Sequence, residues 1–76
     1  MTKDTALRMI RDYCFELEER GEGPELAEMW TRWPDDGSER KAMRWLGFLQ
    51  GVFYVRRYRT LESLKDESRT GKVRRR

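Results

Sequence analysis

SERKAMRWLGFLQGVFYVRR, residues 38–57, decides the fold. Taken alone, Val52, Phe53, Tyr54 and Val55 would suit a strand, but a proline-free run of ~20 residues exceeds any ordinary strand and predicts a helix. Pro34, Asp35, Asp36 and Gly37 break the chain just before it. Ser38 then supplies a side-chain oxygen for the first unpaired backbone N–H groups. At ~100° per residue, Ala42, Trp45, Leu46, Leu49, Val52 and Phe53 share one side, flanked by Phe48 and Val55. The opposite side carries Arg40, Arg44, Gly47, Gly51 and Tyr54. This helix is expected to be the most buried element, with the rest of the chain packed around it.

Gly47 and Gly51 each cost a helix about 1 kcal/mol against alanine. That cost implies close approach to the backbone, either by another helix of the same chain or by a second copy or a foreign partner. A Gly51→Leu change is then expected to cost about 1–3 kcal/mol, as overpacking does. The apolar part of the helix, Trp45 to Val55, is 11 residues long, against the ~20 a membrane span requires. Arg40, Lys41 and Arg44 before it and Arg56, Arg57 and Arg59 after it exclude a transmembrane segment.

The chain has 76 residues, one cysteine and no histidine. A chain below ~70–80 residues seldom gains much stability from one core and often needs a staple. Cys14 alone makes no intrachain disulfide, and a lone thiol without histidine is a poor zinc site. Association is the remaining staple, so a homodimer is expected, through the 38–57 helix or the Trp30 surface. The opening MTKDTALRMI has no sustained apolar region of the kind a signal peptide needs, so a cytoplasmic setting is expected. Charge is divided: residues 1–36 hold five Lys/Arg against ten Asp/Glu, and residues 37–76 hold twelve against four. The basic half suits nucleic acid or an acidic protein surface.

A first helix is predicted from about Asp4 to Arg20, with Leu7, Ile10, Cys14 and Leu17 as its apolar stripe, widened by Ala6 and Tyr13. Gly21 stands where a C-terminal glycine belongs. Pro24 opens a short second helix over about 25–33, with Leu26, Met29, Trp30 and Trp33 inward and Glu25 and Glu28 at its positive end. Thr60 caps a short helix from Leu61 to about Arg69, with Leu61 and Leu64 as its apolar edge. The expected fold is therefore all-α, three main helices plus a short C-terminal one. A single domain covers 1–71, and a basic flexible tail covers 72–76.

The residues argue against catalysis. The commonest general base is missing, Cys14 has no base to activate it, and no phosphate loop, nucleotide fingerprint or spaced metal ligands occur. Neither a cofactor nor a metal is implied. A helix-turn-helix reading fails on the 38–57 helix, which is too apolar to expose a reading face.

Residues 41–69, KAMRWLGFLQGVFYVRRYRTLESLKDESR, resemble a pattern in small uncharacterised proteins of tailed phages. There, R-x-LGF-x-QG-hydrophobic leads into Thr-hydrophobic-Glu-x-hydrophobic-Lys/Arg and a closing Arg. The matching residues are Arg44, Leu46, Gly47, Phe48, Gln50, Gly51, Thr60, Leu61, Glu62, Leu64, Lys65 and Arg69. The resemblance covers somewhat over a third of the chain and carries no assigned activity. It implies a phage or prophage accessory protein working in the host cytoplasm. Such proteins commonly bind and inhibit a host protein, an anti-defence role against an immune complex included. For that role the expected contacts are Glu18, Glu22, Glu25 and Glu28 with Trp30 as aromatic anchor. The alternative, a small nucleic-acid-binding accessory protein, would use Arg40, Arg44, Arg57, Lys72, Arg74, Arg75 and Arg76.

Overall fold

The computed structural model describes residues 1–22 and 37–74. These residues form three helices, α1 (Lys3–Glu19), α2 (Glu39–Val55) and α3 (Leu61–Thr70), with no strand among them. The expected helix over 25–33, with Glu25, Glu28, Trp30 and Trp33, lies outside the described residues, as do Arg75 and Arg76.

Each helix starts on a hydroxyl cap. The side chains of Thr2, Ser38 and Thr60 accept from the backbone N–H of Thr5, Lys41 and Ser63, and each cap residue is itself extended. Such a cap contributes about 1 kcal/mol. At its other end α1 closes on Gly21, at φ +74°, with the Gly21 and Glu22 N–H groups bonded to the carbonyls of Glu18 and Leu17. α2 ends in the same double bond pattern, from Arg57 to Tyr54 and from Tyr58 to Phe53. Here the left-handed position is held by Arg57, at φ +63°. The sequence places the helix end at residue 57; the structure ends α2 at Val55 because the backbone reverses at Arg57.

α1 lies along α2, and their facing stripes form the core. Ala6, Met9, Ile10, Tyr13, Cys14 and Leu17 come from α1, Ala42, Leu46, Leu49 and Phe53 from α2, and Leu64 from α3. Cys14 is therefore a core residue, as its place in the stripe predicts. The buried arc of α2 is narrower than its composition suggests. Trp45 and Val52 are only partly buried, while Phe48 and Val55 are exposed. The α3 edge is narrower too, since Leu64 is buried and Leu61 exposed.

The chain after α3 does not leave the surface at once. Gly71, at φ +71°, has room for no side chain: a Cβ there would stand 2.9 Å from the Thr5 methyl. Its carbonyl accepts from Arg8 at 3.2 Å, and Val73 packs against the core. Of the tail expected over 72–76, residues 72–74 are thus docked; the Glu67 carboxylate holds the Arg74 N–H at 2.6 Å.

Candidate functional site

Two features stand out from an ordinary small helical core: a buried ionic cluster and an apolar outer face on α2. The cluster centres on Arg59, only 4% exposed in the turn between α2 and α3. Its guanidinium donates to Glu16 of α1 through two nitrogens, at 2.6 and 2.8 Å, and to Glu67 of α3 at 3.2 Å. It also donates to the Arg74 carbonyl at 2.8 Å. The planar fork of arginine, with five fixed donors, suits this convergence, and lysine would not reproduce it. Tyr13 donates to the other oxygen of Glu67 at 2.7 Å. Gln50 of α2 donates to Ser68 at 2.7 Å and to the Tyr13 hydroxyl at 3.4 Å. Phe53 covers the assembly, its ring centroid 4.7 Å from that of Tyr13 and 5.2 Å from the Arg59 guanidinium carbon.

The cluster has no spare chemistry. Among the described residues no buried side-chain nitrogen or oxygen lacks a hydrogen-bond partner. Nor does any group of three or more His, Cys, Asp or Glu there have the arrangement to hold a metal ion. The cluster joins α1, α2, α3, the α2–α3 turn and residue 74. Such a junction is not visible in composition, and whether it acts as a staple is read from its removal.

Its charges are mutually stabilised. Burial alone would raise the pKa of Glu16, but the hydrogen bonds from Arg59 and Arg20 outweigh it and hold the carboxyl below its ordinary 4.5. Burial alone would lower the pKa of Arg59, and the hydrogen bond to Glu16 with the charge of Glu67 reverses that. The Tyr13 phenol is pushed well above its ordinary 10.0, first by burial and further by the Glu67 carboxylate. A carboxyl with a lowered folded pKa contributes stability above its unfolded value, lost as pH falls through the folded one. A phenol with a raised pKa contributes stability that is complete below its unfolded value and lost as pH rises beyond it. The melting temperature should therefore fall below pH 4.5 and again above pH 10.0. Glu16→Gln should flatten the acid limb and Tyr13→Phe the alkaline limb; limbs unchanged in both variants would contradict these assignments.

The outer face of α2 has the opposite character. Met43, Phe48, Tyr54 and Val55 are exposed by 40%, 53%, 52% and 76%. At ~100° per residue they flank a central strip formed by Arg40, Arg44, Gly47 and Gly51. The face continues past the helix end into a shallow groove lined by Tyr54, Val55, Arg57, Thr60 and Leu61, with Arg59 at its inner side. Leu61 is itself 54% exposed. A Cβ built on Gly47 or Gly51 would meet nothing within 4 Å among the described residues. No described helix of this chain therefore lies on the glycine strip, and nothing among the described residues opposes bulk at Gly51. Gly51→Ala should raise its stability by about 1 kcal/mol through helix propensity alone. A loss of stability in denaturant melts would show that the strip is covered.

The other anticipated contacts divide. Glu18 is exposed on α1, but Glu22 is engaged within the chain. Its carboxylate accepts from the Tyr58 hydroxyl and lies 3.8 Å from Arg56. The hydrogen bond to Glu22, aided by burial, raises the Tyr58 pKa, and Arg20 stacks 4.1 Å from the same ring. Among the basic residues, Arg40, Arg44, Arg57 and Lys72 are exposed. Arg74 is exposed as well, its side chain 3.2 Å from Asp66. No helix among the described residues is long and apolar enough to cross a membrane. No protein-family model, curated protein or solved structure matches the chain.

Proposed function

We propose that this is a small non-enzymatic accessory protein that binds and inhibits a host protein, with the outer face of α2 as its docking surface. The observation that carries the reading is that five of the seven exposed large hydrophobics among the described residues, Met43, Phe48, Tyr54, Val55 and Leu61, lie on α2 and at the start of α3, the other two being Met1 and Phe15 of the N-terminal segment. Half-exposed aromatics grouped with other exposed apolar side chains mark a surface suited to a partner. The glycine strip at its centre lets a partner approach the backbone. The resemblance of residues 41–69 to tailed-phage proteins supports a bacterial host as the source of that partner, and an anti-defence role is one form the inhibition takes.

Of the acidic surface, Glu18 is exposed, Glu22 is engaged within the chain, and Glu25, Glu28 and Trp30 lie outside the described residues. The nucleic-acid reading is weaker. Arg74 pairs with Asp66, and its backbone N–H with the ionic cluster. The test places a photo-crosslinking amino acid at Tyr54 in one variant and at Glu18 in another, each expressed in the host. A discrete host protein captured from Tyr54 and not from Glu18 is expected. Capture only from Glu18, or from neither position, would overturn the reading.

A further inference from the structure

Resting on that reading, we infer that the occupant of the α2 outer face is an amphipathic helix with acidic residues at both ends and a small residue at its centre. From Arg40 to Thr60 the chain contains no Asp or Glu. Of the six cations in that span, Arg59 is neutralised by Glu16 and Glu67, Arg56 lies near Glu22, and Lys41 is half-buried. Arg40, Arg44 and Arg57 are exposed and pair with no acid among the described residues. Arg40 and Arg44 lie toward the start of the outer face, and Arg57 lines the groove at its far end. The surface is thus an apolar centre with cations at both ends, the anatomy of an interface with a charged rim.

Arg57 supplies a second, independent observation. It occupies a left-handed backbone position, φ +63°, where an L-residue other than glycine is disfavoured. The two other described positions of this kind, Gly21 and Gly71, are glycines. A strained position held by a charged, exposed side chain points to use of that charge, since strain persists where function requires it.

The same charges argue against a second copy of the chain as the occupant. Two copies meeting through α2 would bring Arg40, Arg44 and Arg57 of both together, with Glu39 and Glu62, at the two margins of the segment, as the acids adjacent in sequence to offset them. A foreign helix with acidic ends removes that repulsion and gains steering. A small central residue lets it sit on Gly47 and Gly51 at close range, with Phe48 and Tyr54 to either side.

The test selects binders from a displayed library of ~20-residue amphipathic helices, long enough to follow α2 along its length, with end and centre positions randomised. Clones are kept if they bind the full chain and not its Phe48→Ser/Tyr54→Ser variant. Enrichment of Asp and Glu at both ends, with Gly, Ala or Ser at the centre, is expected. Selected peptides should bind the Arg40→Glu/Arg44→Glu/Arg57→Glu variant at least about tenfold more weakly and recover when their ends are changed to lysine. Arg57→Gly should weaken binding while raising the melting temperature. Face-dependent clones with neutral or basic ends would overturn the inference and leave the docking surface standing. An absence of face-dependent clones would overturn both. A wild-type dimer by sedimentation that the Phe48→Ser/Tyr54→Ser change abolishes would assign the face to a second copy. Steeply salt-dependent binding of a thymidine oligonucleotide, lost in the same variant, would assign it to single-stranded nucleic acid; either result overturns the inference.

Discussion

Arg59→Met is expected to bring this protein close to unfolding. The substitution keeps much of the buried volume but removes the cation shared by Glu16 and Glu67, which are 4% and 1% exposed. It also orphans the Arg74 carbonyl. Removing one partner of a buried ion pair costs about 3–5 kcal/mol because the other charge is left behind. A chain of this length has about 4–11 kcal/mol of total stability, so the loss is a large share of the whole. Arg59→Lys should recover only part of it, since an ammonium does not span both carboxylates and the carbonyl. Urea melts measure this directly; a loss below about 1 kcal/mol for Arg59→Met would mean that the cluster is not a staple.

Phe53→Ala is the second large effect, at about 3–5 kcal/mol for a buried ring. Phe53 is fully buried and meets three groups at once: the Tyr13 ring, the Tyr58 ring at 5.7 Å and the Arg59 guanidinium. Its removal opens a cavity and also admits water to the ionic cluster, weakening hydrogen bonds that a dry surround strengthens. Phe53→Leu keeps more of the volume and should cost clearly less. Equal losses in the two variants would show that the ring geometry, and not the space it fills, is what the core requires.

The helices were legible because local signals agree with one another. Thr2, Ser38 and Thr60 cap as their residue types predict, and Gly21 and Gly71 stop α1 and α3 as helix-ending glycines do. The stripe of α1 follows from its spacing, with Met9 the one core member added. The cluster was not legible, for a physical reason. Arg59 stands in a run with Arg56 and Arg57, and no local pattern separates the buried arginine from its exposed neighbours. Glu16 and Glu67 carried a faint sign, each at helical spacing from a core residue, Glu16 from Tyr13 and Glu67 from Leu64. A charge on an apolar stripe ordinarily reads as its solvated edge, and only the tertiary position of Arg59 makes burial of both favourable.

Phe48 and Val55 misled in the opposite sense. Periodicity gives the apolar arc of a helix but not how much of it the rest of the chain can cover, and a domain this small covers only part of α2. Gly47 and Gly51 were rightly expected to lie on the side away from the apolar arc. Among the described residues nothing packs on Gly47 or Gly51, and the segment expected to form the remaining helix lies outside them.

The central claim is that α2 serves two purposes: its inner stripe completes the core and its outer face is reserved for a host protein. The most direct measurement compares wild type with Phe48→Ser/Tyr54→Ser, in thermal stability and in affinity for the host protein captured through position 54. Both side chains are exposed, so the variant should melt within about 0.5 kcal/mol of wild type. As aromatic anchors at the middle of the face, their joint loss should weaken binding by at least about tenfold. Unchanged affinity alongside unchanged melting would contradict the claim.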